Sequence, residues 1–166
     1  MAISVALKLK LNGTDIPGES TIHKMGGVDR SKTIECVYFE SSIITPRDPT
    51  SGASSVGQRQ HQPILFRKRL DKTSPLLAQA LCRNEVVDAE FLFFQPNPVT
   101  GAEEHFFTIK ISQGRITSLK LWLPNTLEQA NSHEPALEEV QTTFNNIMWE
   151  NITGKTSAED SWSARA

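Results

Sequence analysis

His61–Phe94, HQPILFRKRLDKTSPLLAQALCRNEVVDAEFLFF, reads as a strand, one short helix and a second strand. The helix spans about residues 74–83. Ser74 has the side chain to cap the first free backbone N–H groups, and Pro75 suits the first helical position, where its missing N–H costs nothing. Leu76, Leu77, Ala80 and Leu81 recur at helical spacing and form one apolar stripe. Arg83 falls where a cation complements the negative end of the helix dipole. No other stretch carries comparable helix signals. A lone helix among strands must lie on a sheet to bury its stripe. The expected fold is therefore mainly β: a two-sheet barrel or sandwich with one short flanking helix.

Moving outward, the chain gives strand after strand. Ile3, Val5, Leu7, Leu9 and Leu11 alternate with Ser4, Lys8 and Lys10, as on a half-buried strand. Residues 12–33 form a long connection with turn signals at Pro17-Gly18 and Gly26-Gly27. Ile34–Ile44 and Val86–Phe94 are apolar on both faces in part. Residues 45–60, TPRDPTSGASSVGQRQ, have no periodicity; loops this long in a compact domain are functional or disordered. A turn at residues 96–101 leads into a strand over 104–112, and Gln113-Gly114 is read as a second hairpin turn into residues 115–123. A second polar loop spans residues 124–135. Residues 138–150 read as one last strand, and residues 151–166 as a polar tail broken only by Trp162. Strands at this spacing, about seven in all, suit a sandwich or barrel.

Composition narrows the function classes. The 166 residues, 38% apolar, suit one domain over residues 1–166 that buries roughly 70% of its unfolded surface. A net charge of −2 gives no electrostatic reason to expect nucleic acid, so Phe91, Phe93, Phe94, Phe106 and Phe107 are read as core and not as stacking platforms. No apolar run approaches the roughly 18 residues of a membrane span. Lys8 and Lys10 sit inside the N-terminal apolar segment, which argues for a strand and against an export signal. Cys36 and Cys82 form no metal-ligand pattern and are expected as two buried thiols. His23, His61, His105 and His133 are scattered and lie in no catalytic motif. His105 is expected in the core or an interface, and His61 on a loop carbonyl. Arg67 and Arg69 share one strand face, with Lys68 opposite, and could pair with Glu90 and Asp88 on the next strand. No enzyme activity, metal or cofactor is expected.

The residues also carry a family pattern. Ile16-Pro17-Gly18-Glu19-Ser20 matches I-x-G-E-S, Ile34-Glu35-Cys36 opens the following strand, and Lys68, Asp71, Ser74, Pro75 and Leu77 match K-x-x-D-x-x-S-P-x-L. Ala89-Glu90-Phe91, the Phe107–Ser118 segment, Phe144, Ile147 and Trp149, and the terminal Asp160-Ser161-Trp162 follow in order. In this ordered set the chain resembles the haemolysin-coregulated proteins (Hcp), tube subunits of bacterial type VI secretion. That resemblance implies a hexameric ring and rings stacked into a hollow tube that a contractile sheath expels. It also implies partners: further copies of the chain, a spike protein, the sheath, and small effectors in the lumen. It implies synthesis in the cytoplasm and secretion through the apparatus without a signal peptide. Under it, the loop over residues 45–60 is the candidate for ring-on-ring contact, through Pro46, Arg47, Asp48, Gly52, Gly57 and Arg59. The alternative is a monomeric cytosolic β-domain serving as an adaptor or ligand-binding module, without membrane insertion.

Overall fold

In a computed structural model the described residues are 3–47, 50, 57–131, 133 and 135–162. In chain order the strands are β1 (Ser4–Leu11), β2 (Thr14–Ile16), β3 (Lys24–Met25), β4 (Val28–Asp29), β5 (Ile34–Glu40), β6 (Ile43–Ile44), β7 (Gln60–His61) and β8 (Ile64–Arg69). Helix α1 (Ser74–Cys82) comes next. It is followed by β9 (Val87–Pro96), β10 (Glu103–Trp122), β11 (Leu137–Thr143), β12 (Asn146–Asn151) and β13 (Thr156–Ser161). All pairings between these strands are antiparallel.

The sheet closes on itself. Its order runs β11-β8-β5-β1-β9-β10, and β10 then pairs back to β11. Closure removes the open edges that invite aggregation. Alternating residues fill the interior: Leu7, Leu9 and Leu11 from β1, Ile64 and Phe66 from β8, Ala89 and Phe91 from β9, Ile109 and Ile111 from β10, and Val140 from β11. Helix α1 lays Leu77 and Ala80, both buried, against this core. Arg83 is the residue after the helix, its N–H on the Gln79 carbonyl, and not part of the last turn.

Three sequence expectations change here. Gln113-Gly114 does not reverse the chain: β10 runs through it for 20 residues, and the pair forms a bulge at which the strand bends. Before the bend, β10 pairs with β9 on one edge and β12 on the other; after it, with β11. A β-carbon on Gly114 would lie 2.2 Å from the Thr143 carbonyl oxygen, so no larger residue fits the bend. The expected last strand over 138–150 is broken at Phe144 and Asn145, where one half stays in the barrel wall and the other leaves it. Residues 156–161, read as tail, form β13 on the outer edge of β12. Their sequence, TSAEDS, is polar but for Ala158 and hides the strand; the turn before it is shaped by Lys155 at φ +51° and by the Gly154 N–H on Asn151 Oδ1 at 2.7 Å.

The outer face of β9 is covered by the chain itself. Leu92 and Phe94, with Ala6 of β1, form a second small core beneath Met25 and Val28 of the β3–β4 hairpin. Arg30, buried at the end of that hairpin, holds its guanidinium 4.6 Å from the Phe94 ring centre. The two-faced apolar character of Val86–Phe94 is thus spent within the protomer. Only one of the two cysteines is buried: Cys36 lies in the wall, and Cys82 is exposed on α1.

Two outcomes follow from this packing. Gly114→Ala should cost about 1–3 kcal/mol, as overpacking of a filled site does, read as a lower urea midpoint at an unchanged slope. Burial pushes the Cys36 thiol up to about 12, so a thiolate-seeking reagent at neutral pH should modify Cys36 only after unfolding.

Candidate functional site

Two clusters organise the functional residues. The first is a set of ions inside the barrel. Lys68 points inward from β8 in line with Ile64 and Phe66 and is fully buried. Its register partner on β11 is Glu138, also fully buried, and Lys68 Nζ lies 2.8 Å from Glu138 Oε2. Lys68 Nζ also donates to Asp71 Oδ1 at 2.8 Å and Ser74 Oγ at 2.9 Å, and Ser74 Oγ donates to Glu138 Oε2 at 2.9 Å. Asp71 Oδ1 further accepts the backbone N–H and the hydroxyl of Thr73. A buried ammonium is costly unless paired and hydrogen-bonded. Here three motif residues, Lys68, Asp71 and Ser74, and one that the motif lacks, Glu138, meet that need.

The K-x-x-D-x-x-S-P spacing is therefore a folding device. Lys68 ends the strand from within, Asp71 turns the chain, and Ser74 starts the helix. Ser74 does not cap: the N-cap is Thr73, which makes no side-chain cap bond. The Ser74 hydroxyl is committed to the ions instead. Pro75 lies in the first turn and Leu77 is fully buried. Burial pushes the Asp71 carboxyl up, but the hydrogen bonds from Lys68 and Thr73 and the Lys68 charge outweigh it, leaving it below its usual value. The I-x-G-E-S segment ties into the same end: the Gly18 N–H bonds the Lys32 carbonyl at 2.6 Å, Glu19 accepts the Lys72 N–H at 3.1 Å, and Ser20 donates to Glu35 at 3.2 Å. A β-carbon on Gly18 would lie 2.2 Å from the Thr33 carbonyl oxygen, which excludes other residues.

The second cluster anchors the loop over residues 45–60. Strands β6 and β7 pair at its base, with Ile43 opposite His61 and Ile44 opposite Gln60. Pro46 and Gly57 meet just above: a β-carbon on Gly57 would sit 3.5 Å from Pro46 Cγ. Arg47 is exposed. Asp48 and Gly52 lie outside the described residues. Arg59 is not a free surface cation. Its guanidinium forks onto the Asp160 carboxylate of β13 and adds a bond to the Ser161 carbonyl at 3.3 Å. Asp160 also accepts His61 Nε2 at 2.8 Å. Hydrogen bonding from Arg59, then from His61 and the Ser161 N–H, holds the Asp160 carboxyl far below the usual carboxylate range, despite some burial.

His61 is buried, so its partner is this carboxylate and not a loop carbonyl. Its ring lies among Phe144, Trp149 and Trp162, at centroid distances of 5.3, 6.2 and 5.8 Å. Its Nδ1 has no hydrogen-bond partner among the described residues. His105 bonds Thr108 at 2.8 Å beside Phe94. The expected pairing of Arg67 and Arg69 with Glu90 and Asp88 does not occur, because β8 neighbours β5 and β11 and not β9. Arg67 instead bonds its register partner Glu139 at 2.8 Å and stacks over Tyr38, while Glu90 pairs with Lys110 at 3.2 Å. Asp160 and Glu138 are the residues sequence reasoning missed in these roles. Glu138 carried a signal: it shares the inward face of β11 with Val140 and Thr142, where alternation calls for an uncharged residue.

Comparison with known proteins is consistent from end to end. A family model described as "Type VI secretion system effector, Hcp" matches residues 9–151. The "Major exported protein" of Pseudomonas aeruginosa is 34% identical over 124 residues, covering 75% of this chain and 72% of the relative. A crystal structure of an Hcp protein superposes with a TM-score of 0.85 at 28% identity, covering 99% of this chain and all of that one. The Hcp1 protein of the E. coli EAEC 042 pathovar gives 0.81 at 29% identity, with 97% of this chain and 99% of that one covered.

Removing one member of the ion cluster strands the others. Lys68→Met should destabilise the fold by about 3–5 kcal/mol, and adding Glu138→Leu should recover part of that loss in chemical denaturation. The Asp71 carboxyl is lowered from 3.8 on folding. Its contribution is therefore complete above that value and lost as the pH falls through the lower folded one. The urea midpoint of Asp71→Asn should accordingly fall less than that of the unaltered chain between about pH 5 and 2.

Proposed function

Since the chain belongs to the Hcp family of type VI secretion proteins, we propose that it is a tube subunit, closing into hexameric rings that stack into an expelled hollow tube able to carry small effectors. The observation that carries this reading is a band of apolar side chains facing solvent on a barrel whose own core is complete. A bulge between Cys36 and Tyr38 turns both Val37 and Tyr38 outward from β5, at 54% and 40% exposure. Ile43 and Ile44 of β6 continue the band at 46% and 47%. Beside Ile43 a groove lined by Phe39, Phe93, Phe106, Phe107 and Trp149 opens at the mouth of the barrel. Contiguous exposed apolar surface of this kind marks a protein contact.

A ring of identical copies needs two different faces that meet under a closing rotation. The β5–β6 band supplies one face. The outer side of β9, covered by the β3–β4 hairpin, is withdrawn from that role. The described ends of the 45–60 segment are tied by the β6–β7 ladder, and we assign this segment to contact between rings, with Arg59 acting as a positioning residue through Asp160. Export through the type VI apparatus fits the family and the name of the Pseudomonas relative. Among the described residues, no helix is long and apolar enough to cross a membrane.

Native mass measurement at micromolar concentration should find a species near six times the 18.5 kDa chain, with annular particles in negative stain. A homogeneous 18.5 kDa particle without rings overturns the reading.

A further inference from the structure

We propose that the cleft between residues 19–22 and the start of β5 is a binding site for a small zwitterion of amino-acid or dipeptide size. Its carboxylate pairs with Arg30, and its ammonium group is held by Glu35 and Glu103. The inference does not rest on the tube reading, since every residue it uses belongs to one protomer.

The carboxylate is dictated by Arg30. This residue is only 2% exposed, and it lines the cleft together with Ser4 and Met25. Its Nη1 donates to Ser4 Oγ at 3.3 Å and to Met25 Sδ at 2.9 Å, while its Nε has no partner among the described residues. The guanidinium thus meets a hydroxyl, a thioether and the Phe94 ring, and it pairs with no carboxylate among the described residues. Buried charges are tolerated when paired, and a thioether is a weak acceptor. Burial pushes the Arg30 guanidinium below its ordinary value, and the charges of Glu35 and Glu103 oppose that shift without touching it. A carboxylate in place of the Met25 thioether supplies the counter-ion in the bidentate geometry that a guanidinium favours, and gives Nε its acceptor. Met25 is unbranched and only partly buried, so its side chain can turn aside.

The ammonium group is dictated by the rest of the lining. Beside Arg30 and Arg69 the cleft holds four carboxylates, Glu19, Glu35, Asp71 and Glu103. Asp71 is committed to Lys68. Glu35 accepts the Ser20 hydroxyl at 3.2 Å and has no cationic partner among the described residues, and Glu103 Oε2 is buried without a partner there. Buried acceptors are seldom left orphaned. An excess of carboxylates repels a simple anion, while a simple cation leaves Arg30 unpaired. A molecule that carries both charges answers both. The cleft measures about 480 Å3, the scale of a small-ligand site.

Titration calorimetry on the unaltered full chain, with alanine and alanylalanine as probes, tests the site. At least one probe should saturate one site per chain, alanine if the site takes a single residue and the dipeptide alone if it takes two. N-acetylation or C-amidation of that probe should each weaken binding about tenfold or more, because each removes a charge-assisted contact. Arg30→Lys keeps the charge and loses the fork, and should weaken the probe by about tenfold. Glu35→Gln, at an exposed position, should weaken it too, and decides the matter should the Arg30 variant fail to fold. No saturable heat from either probe at about 10 mM overturns the site. So does equal binding of the charged and blocked probes, or an affinity that Glu35→Gln leaves unchanged.

Discussion

A single ammonium group inside the barrel sets the terms for the rest of the molecule. Lys68 lies where alternation demands an apolar residue, and its charge can be tolerated there only with Glu138, Asp71 and Ser74 around it. Those three come from the seam strand, the turn and the start of the helix. Satisfying one charge therefore fixes the β8–β11 register, the direction in which the chain leaves β8 and the seat of α1. A slip of one residue would turn Lys68 outward and drive Arg67 and Arg69 into the core, a far worse arrangement than the native one. The cluster contributes specificity more than net stability, since a well-packed apolar replacement of a buried ion pair is often neutral.

From this cluster the two ends of the barrel divide cleanly. One end of β5 and β8 holds the ions. The other end carries the β6–β7 ladder, beside which Asp160 holds Arg59. Between these ends, β5 presents Val37 and Tyr38 to solvent, while β9 has its outer face closed by the β3–β4 hairpin. The body therefore has two chemically different ends and one uncovered apolar flank. Its core is complete within the single chain.

Much of the fold was legible in period and punctuation. The alternation of β1 and the turn at residues 96–101 each express a local rule that held, and the stripe of α1 held in Leu77 and Ala80, while Leu76 faces solvent. Failures came where tertiary context overrides local signals. Gln113-Gly114 has the composition of a hairpin turn, yet the chain continues because two different partners claim the two halves of β10. TSAEDS has no apolar period, because β13 packs on no core and gains its place from ladder hydrogen bonds and from Asp160. Arg67 faces Glu139 and not Glu90 because strand order, and not strand sequence, decides which residues sit opposite. In the candidate site, Lys68, Asp71 and Ser74 stood out by their spacing. Glu138, some 70 residues further on, and Asp160, a hundred residues from Arg59, could be joined to them only through the fold.

The continuity of β10 has a mechanical consequence. This one strand is stitched to β9 along one edge and to β12 and β11 along the other. A load directed along its length is shared among all three ladders in shear, so many hydrogen bonds must fail together before any segment moves. A load that peels β13 away meets only one ladder and the Asp160 fork, which give way bond by bond. The protomer should thus be stiff to axial thrust and yielding at its outer flap, an anisotropy that follows from connectivity alone.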